Sequence, residues 1–152
     1  DLLSFDWDLM DAWFEEEEEV FVHPRDPYHR IDVLAGSRHV EVRLGDTVLA
    51  DSHQPVLLFE TGLPVRHYLP KLDVRTDLLE PRDTETACPY KGVTSGYWSV
   101  REPEEEERDL AWCYDYPMPE VAKIAGRIAF FNERVDLYVD GVLEDRPETL
   151  WS

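Results

Sequence analysis

The segment Cys88-Pro89-Tyr90-Lys91-Gly92 carries residue types that suit a ligand contact or a reaction. A thiol beside a cation can be held as thiolate, the reactive form of cysteine. In an extended strand Cys88 and Tyr90 face one side and Lys91 the other, and Gly92 lets the chain bend or a ligand approach. The sequence places no histidine beside Cys88, so a cysteine–histidine nucleophile has no support. The alternative is structural: Cys88 packs, Tyr90 borders the core and Lys91 is solvated.

A second candidate cluster consists of Glu60, Arg66 and Tyr68. Arg66 and Tyr68 are two residues apart, so they share one face of a strand. Arg66 is expected to form either a buried ion pair with Glu60, the simpler interpretation, or a clamp for an anionic ligand. His67 could exchange a proton beside this clamp or serve as an ordinary polar residue.

Two tryptophans, Trp98 and Trp112, flank an acidic run. They could stack across a hairpin, wall a pocket for a planar ligand, or pack in the core, which is the simpler interpretation. The candidate ligand-binding residues are therefore Glu60, Arg66, Tyr68, Cys88, Tyr90, Lys91, Trp98 and Trp112.

No metal and no cofactor is predicted. Cys88 and Cys113 occur outside any Cys-x-x-Cys motif, and the histidines have no recognisable ligand spacing relative to them. Nucleotidyl transfer would need paired carboxylates for Mg²⁺ and a glycine-rich or basic phosphate cradle. The pair in Asp6-Trp7-Asp8 follows no glycine–serine turn, which argues against that chemistry.

Mostly short strands must position these residues. Val40, Val42 and Leu44 alternate with polar residues before Gly45-Asp46, which predicts a hairpin. Pro119 at a first turn predicts one short helix near 119–126. The predicted strands cover 40–49, 65–69, 74–79, 84–90, 97–101, 109–114 and 135–139, with 130–139 closing the domain as a hairpin around Asn132-Glu133. The predicted fold class is mainly β (a β-rich α+β fold) with antiparallel sheets.

An internal similarity and two acidic runs divide the chain. Residues 13–22 parallel residues 130–139 in their order of aromatic, polar and alternating apolar positions, which indicates a duplicated unit. Residues 1–30 are then an arm and linker left from a preceding repeat, 31–145 the domain, and 146–152 a tail. The runs at 15–19 and 102–107 are expected to be solvated, the second as a hairpin tip.

Composition limits the classes of partner. The 152 residues are 43% hydrophobic, ample for a packed core, and carry a net charge of −19, which excludes simple electrostatic binding of nucleic acid. With 3 Lys against 12 Arg, the acidity is read as plain solubility or adaptation to a high-salt host. No apolar run could span a bilayer and the first residues lack a signal-peptide pattern, so no membrane contact and a cytoplasmic location are expected.

Several motifs resemble the DUF427 family. They are residues 58–64 (Leu-Phe-Glu-Thr-Gly-Leu-Pro), 66–70 (Arg-His-Tyr-Leu-Pro), 88–92 and 97–100 (Tyr-Trp-Ser-Val), continued by 111–114 and 119–130. The resemblance covers about residues 31–145 and implies a β-tent type of fold with no established activity. A nucleotidyltransferase label attached to the family is not supported by the residues. The chain departs from the family where His67-Tyr68 replaces a tyrosine pair and where Cys113 replaces a serine.

Two functions are expected from these observations. The first is binding of a small anionic or planar molecule, by a protein that could also be an enzyme. This function predicts that the candidate side chains converge in one cavity. The second is a protein-interaction domain in which the arm completes a sheet or a homodimer, and it predicts an exposed apolar edge along residues 9–22. A nucleotidyltransferase ranks third.

Overall fold

The chain folds into short antiparallel strands, and the mainly β class is confirmed. The computed structural model describes residues 3, 5–15, 18–23, 26–101 and 108–152. Within these residues the strands are β1 Phe14–Glu15, β2 Glu18–Glu19, β3 Ile31–Ala35, β4 Val40–Leu44, β5 Thr47–Ser52, β6 Val56–Glu60, β7 Arg66–Pro70, β8 Leu79–Arg82, β9 Ala87–Cys88, β10 Gly92–Val93, β11 Gly96–Val100, β12 Ala111–Cys113, β13 Arg127–Phe130, β14 Asp136–Val139 and β15 Val142–Leu143. Short 3₁₀ helices occupy Trp7–Leu9, Lys71–Asp73, Thr76–Leu78 and Pro119–Ile124.

Two larger sheets build most of the domain, and β9 and β10 form a separate two-stranded sheet. Over the described residues, a seven-stranded sheet has the order β3-β6-β7-β13-β12-β11-β8, and a four-stranded sheet has the order β15-β14-β4-β5. The predicted hairpin of β4 and β5 is confirmed, with Leu44 opposite Thr47. Gly45 at its turn has a φ of +56°, a conformation that glycine adopts without the steric cost of a side chain.

The seven-stranded sheet is buried on both faces. Its first face packs on the four-stranded sheet through an inter-sheet core that includes Val42, Leu69 and Ile128. Its second face carries a separate outer core, which includes Leu58, Tyr68 and Trp112 and is covered by the 3₁₀ helix Pro119–Ile124. Because successive side chains of a strand point to opposite faces, β7, β13, β12 and β11 each contribute to both cores.

The helix predicted near 119–126 is present as a 3₁₀ segment ending at Ile124. Its backbone is interrupted at Val121, whose φ of −114° and ψ of 21° are not helical. Val121 and Ile124 are both fully buried, so packing in the outer core rather than helical hydrogen bonding holds this segment in place.

The strands predicted at 74–79 and 84–90 are wrong over most of their length. Residues 76–78 form a 3₁₀ helix, closed by the Leu78 amide donating to the carbonyl of Arg75 at 2.9 Å, and β8 begins only at Leu79. In the second segment β9 ends at Cys88, because Pro89 begins a turn in which the Lys91 amide donates to the Cys88 carbonyl at 3.3 Å.

The predicted hairpin around Asn132-Glu133 is also wrong. The strands on either side belong to different sheets, since β13 lies in the seven-stranded sheet and β14 in the four-stranded one. The amides of Arg134 and Val135 both donate to the carbonyl of Phe131, at 2.9 and 3.2 Å. This turn carries the chain from one sheet to the other and places Asn132 and Glu133 at the end of the outer core.

The N-terminal arm approaches the domain from Val20 onward. Val20 is buried, and the Asp26 amide donates to the Tyr90 hydroxyl at 2.7 Å. The acidic run at 102–107 and the centre of the run at 15–19 lie outside the described residues, so the interpretation of both runs as solvated stays a prediction. None of the helices in the described part of the chain has the length and apolar character needed to cross a bilayer.

Candidate functional site

Six of the eight candidate residues line one cavity on the outer-core face of the seven-stranded sheet. The cavity has a volume of about 360 Å³. The candidates that line it are Glu60, Arg66, Tyr68, Cys88, Lys91 and Trp112, and its remaining walls are Leu63, Thr86, Ala87, Pro89, Tyr97, Tyr114, Phe131 and Trp151.

Strand alternation explains this convergence. Arg66 and Tyr68 on β7 point to the same face as Trp112 on β12, and Trp112 is paired with Tyr97 of β11. The turn after β9 then folds over this face and places Cys88 and Lys91 on the cavity wall. Gly92, with a φ of +95°, ends that turn in a conformation that disfavours other residues.

One wall of the cavity is a buried carboxylate between two basic groups. The Glu60 side chain is 4% exposed, and its Oε2 accepts a hydrogen bond from the Lys91 ammonium. Its Oε1 lies 3.2 Å from Nε2 of His29. Tyr90 stacks on the His29 ring at 4.0 Å, so Tyr90 supports this network from outside the cavity rather than lining it, and its predicted place in the pocket is wrong.

Arg66 is paired with Glu133, and the predicted pair with Glu60 is wrong. The two guanidinium Nη atoms donate to the two Glu133 carboxylate oxygens at 2.6 and 2.7 Å, and one of them also donates to Asn132 Oδ1 at 3.1 Å. Glu133 reaches Arg66 because the turn between the two sheets ends beside β7, whereas Glu60 on the neighbouring strand faces Lys91. The positive charge of Arg66 is therefore already neutralised by Glu133 within the site.

The pair is held on several sides. Burial alone would raise the pKa of Glu133, but the hydrogen bonds from Arg66 and Thr149 outweigh it and hold the pKa below its usual value. The guanidinium carbon of Arg66 lies 5.5 Å from the ring centres of Trp112 and Phe131 and 5.8 Å from that of Trp151. Cation–π attraction adds to the ion pair in this geometry.

Two tyrosine hydroxyls face the cavity from the outer core. Burial raises the pKa of Tyr68 and of Tyr114, so both remain protonated at neutral pH. The Tyr68 hydroxyl accepts a hydrogen bond from the Trp112 indole nitrogen at 3.1 Å. Among the described residues it has no acceptor for its own proton.

Trp98 does not line the cavity and does not stack on Trp112; of the three alternatives, core packing, the simpler interpretation, is confirmed for Trp98. In β11 it follows Tyr97 and so points to the opposite face, where it packs against the inter-sheet core. Its partner across the strands is Ala111, while Trp112 is paired with Tyr97. The strict alternation of side chains along β11 and β12 excludes a contact between the two indoles.

The two cysteines differ in environment. Both are free thiols, Cys88 on the cavity wall and Cys113 in the inter-sheet core, where burial raises the thiol pKa to about 11. Cys113 is therefore an inert core residue, and Cys88 is the accessible thiol. Among the described residues, no three acidic, histidine or cysteine side chains are grouped closely enough to hold a metal ion.

Several wall residues were missed in the sequence. Tyr97 could have been found from its alternation with Trp98. In a strand that is buried on both faces, the side chains of each face pack against a core, so Tyr97 and Trp98 pack against different cores. The sequence predicts Phe131 and Glu133 at the end of a hairpin, whereas the crossing between the sheets brings them to Arg66. Trp151 was assigned to a tail, and no signal in the sequence places it beside Phe131, 6.2 Å away between ring centres.

Comparison with known protein families identifies the family of this domain. Residues 32–141 match the model of a family described as a domain of unknown function, DUF427, and this range holds every candidate residue. No curated protein matches the chain.

Proposed function

The chain belongs to the DUF427 family, a domain of unknown function, and from that premise we propose that it binds a small planar molecule in the cavity described above. One observation carries the proposal. A cavity walled by aromatic rings holds, at its buried end, a tyrosine hydroxyl whose proton has no acceptor among the described residues. Such a group specifies where a ligand oxygen is bound, because a buried donor without a partner costs free energy.

The dimensions favour a compact ligand. A volume of about 360 Å³ is near the lower end of the range for small-molecule sites. The walls formed by Tyr68, Tyr97, Trp112 and Tyr114 are almost completely buried, so their positions are fixed before a ligand arrives. A preformed cavity of this size with aromatic walls suits one or two fused rings.

The polar groups favour a ligand with an oxygen acceptor. Tyr68 donates from the buried end, and Tyr114 is a second protonated hydroxyl nearby. Lys91 and Glu60 form a pair on another wall that can donate to and accept from the opposite side of a ring. Because Glu133 already neutralises Arg66, the proposal does not use Arg66 as an anion clamp.

The test compares 2-naphthol with its saturated counterpart, decahydro-2-naphthol, by thermal unfolding and quenching of tryptophan fluorescence. The two molecules share a skeleton and a hydroxyl, but only the first is planar. At about 100 times its Kd, a bound ligand stabilises the protein by about 2.7 kcal/mol. We expect 2-naphthol to raise the unfolding temperature and the saturated alcohol to leave it unchanged.

Two variants locate the binding. Tyr68→Phe keeps the ring and removes the donor, so it should weaken 2-naphthol binding by about tenfold, which corresponds to one hydrogen bond. Tyr116→Phe is the matched control, because Tyr116 is 90% exposed and lies outside the cavity. Equal affinity for the planar and the saturated alcohol, or an equal effect of the two variants, would overturn the proposal.

A second candidate function is protein interaction through the arm, and a specific observation favours it. Leu9 is 80% exposed, Phe14 62% and Val22 53%. All three lie in the segment 9–22, and an exposed apolar segment often marks a contact surface. Sedimentation of the wild type beside a Leu9→Ser, Phe14→Ser variant tests this function, since an interaction surface predicts a self-associating wild type and a monomeric variant. A monomeric wild type would count against a homodimer through the arm.

A further inference from the structure

A wide groove adjoins the cavity and differs from it in charge. Its volume is about 760 Å³, and it shares Thr86, Tyr97, Phe131 and Trp151 with the cavity, so the two spaces lie against the same side chains. Four arginines line the groove: Arg82, Arg108, Arg134 and Arg146. In a chain with a net charge of −19, such a cluster needs a physical explanation.

Two of the four groove arginines have no ion-pair partner among the described residues. Arg146 is paired with Asp136 at 2.7 Å, and Glu133 is committed to Arg66. Among the described residues, no carboxylate lies within ion-pair distance of Arg82 or Arg134. Among the described residues that line the groove, Asp109 is a further acid; its Oδ2 accepts a hydrogen bond from Thr84 at 2.8 Å, and its buried Oδ1 has no hydrogen-bond partner.

Arg134 is fixed at the junction between the groove and the cavity. Its Nε donates to the Trp151 carbonyl at 2.9 Å, and its Nη1 donates to the Arg108 carbonyl at 3.1 Å. Its guanidinium carbon lies 5.0 Å from the centre of the Phe131 ring, which also lines the cavity. Neutral carbonyls orient the guanidinium without cancelling its charge, so its position is set while its positive charge stays available to an anion.

We propose that this groove binds an anionic oxygen group, a phosphate or a carboxylate, attached to the planar molecule in the cavity. The inference rests on the proposed function and narrows its ligand class to planar molecules that carry an acidic substituent. Arg134 contacts the anion next to the rings, and Arg82 contacts it from the exposed side of the groove.

The test uses three probes with one ring system: 2-naphthol, 2-naphthyl phosphate and the carboxylate of 2-naphthaleneacetic acid. Titration calorimetry on the wild type should give an affinity for at least one of the anionic probes about tenfold above that for 2-naphthol, the gain typical of charge-assisted hydrogen bonds. Higher affinity for both the phosphate and the carboxylate identifies a general oxyanion site. Higher affinity for 2-naphthyl phosphate alone identifies a phosphate site. The gain should shrink as the salt concentration rises.

The variants are Arg134→Gln and Arg82→Gln, with Arg75→Gln as the matched control. Arg75 is exposed, is paired with Asp77 and lies outside the groove, but its substitution changes the net charge by the same unit. Both groove variants should reduce the gain to about twofold or less and leave 2-naphthol binding unchanged, while the control keeps the gain. Arg82 is exposed, so its variant keeps the test valid if Arg134→Gln fails to fold.

The outcomes separate the two proposals. If 2-naphthol binds and neither acid binds more tightly, the anion site is overturned and the planar site stands. If the gain appears in the wild type and persists in both groove variants, the anion lies elsewhere and the assignment to Arg82 and Arg134 is overturned. If none of the three probes binds, both proposals are overturned together.

Discussion

Replacing Glu133 by glutamine leaves the Arg66 guanidinium buried without a compensating charge. The side chains of Arg66 and Glu133 are 7% and 0% exposed, so little water reaches either partner. Glutamine has nearly the same shape and can still accept one hydrogen bond from Arg66. The substitution therefore tests the charge and not the packing.

The structure supports a large effect. Removing one partner of a buried ion pair costs about 3 to 5 kcal/mol, because the remaining charge has lost both water and its counter-ion. One hydrogen bond to glutamine and the nearby rings of Trp112 and Phe131 retain part of the interaction, so we expect about 3 kcal/mol. In a chain of this length that corresponds to a fall of about 6 to 12 °C in the unfolding temperature.

Urea unfolding followed by tryptophan fluorescence measures the free energy, and Glu41→Gln is the control. Glu41 also pairs with an arginine at 2.6 Å, but Arg43 is 38% exposed, so solvent screens that pair and Glu41→Gln should cost much less than Glu133→Gln. The double variant Arg66→Met, Glu133→Leu should be more stable than Glu133→Gln, because no charge is left in the interior. A cost below about 1 kcal/mol for Glu133→Gln, or a double variant less stable than the single one, would refute the reasoning.

Two further predictions concern titratable groups. Iodoacetamide should modify Cys88 in the native protein and leave Cys113 unmodified until the chain unfolds, and 2-naphthol should slow the modification of Cys88. Mass spectrometry of the digested protein measures both effects. Equal labelling of the two thiols would contradict the assignment of Cys88 as the accessible one. Desolvation lowers the pKa of His67 to about 4, so the unfolded chain takes up a proton below about pH 6.5 that the folded chain does not. Stability should consequently fall from pH 6.5 to 4, more steeply in the wild type than in His67→Gln, and equal slopes in urea titrations would exclude this contribution.

Local patterns predicted the elements whose stability is local. The β4–β5 hairpin follows from alternation before Gly45-Asp46, and the short helical segment follows from Pro119 at its first turn. Both signals act within a few residues, and a strand or turn that satisfies its own hydrogen bonds needs little help from the rest of the chain. The strand predicted at 74–79 failed because Leu78 bonds back to Arg75, a competing local arrangement with similar residue types.

The candidate site was predictable in part for the same reason. Arg66 and Tyr68 share a face because they are two residues apart on a strand, which holds in any sheet. Lys91 could be chosen from the sequence, but its contact with Glu60 depends on a turn that folds over the outer core. The partner of Arg66 was assigned to Glu60 because distance along the chain is all that a sequence offers, and Glu133 lies 67 residues away.

The amino-acid sequence by itself determined the mainly β class, the hairpin at Gly45 and the set of side chains that tend to face one way, since these depend on residue type and on spacings of two. Only the tertiary structure decided which faces became buried together, that Trp98 and Trp112 lie on opposite sides of one sheet, and that Glu133 and Trp151 meet Arg66. Those outcomes depend on which strands pair and where the chain crosses between sheets. Strand pairing is a choice among distant segments governed by burial summed over the whole domain, so no short stretch of sequence contains it.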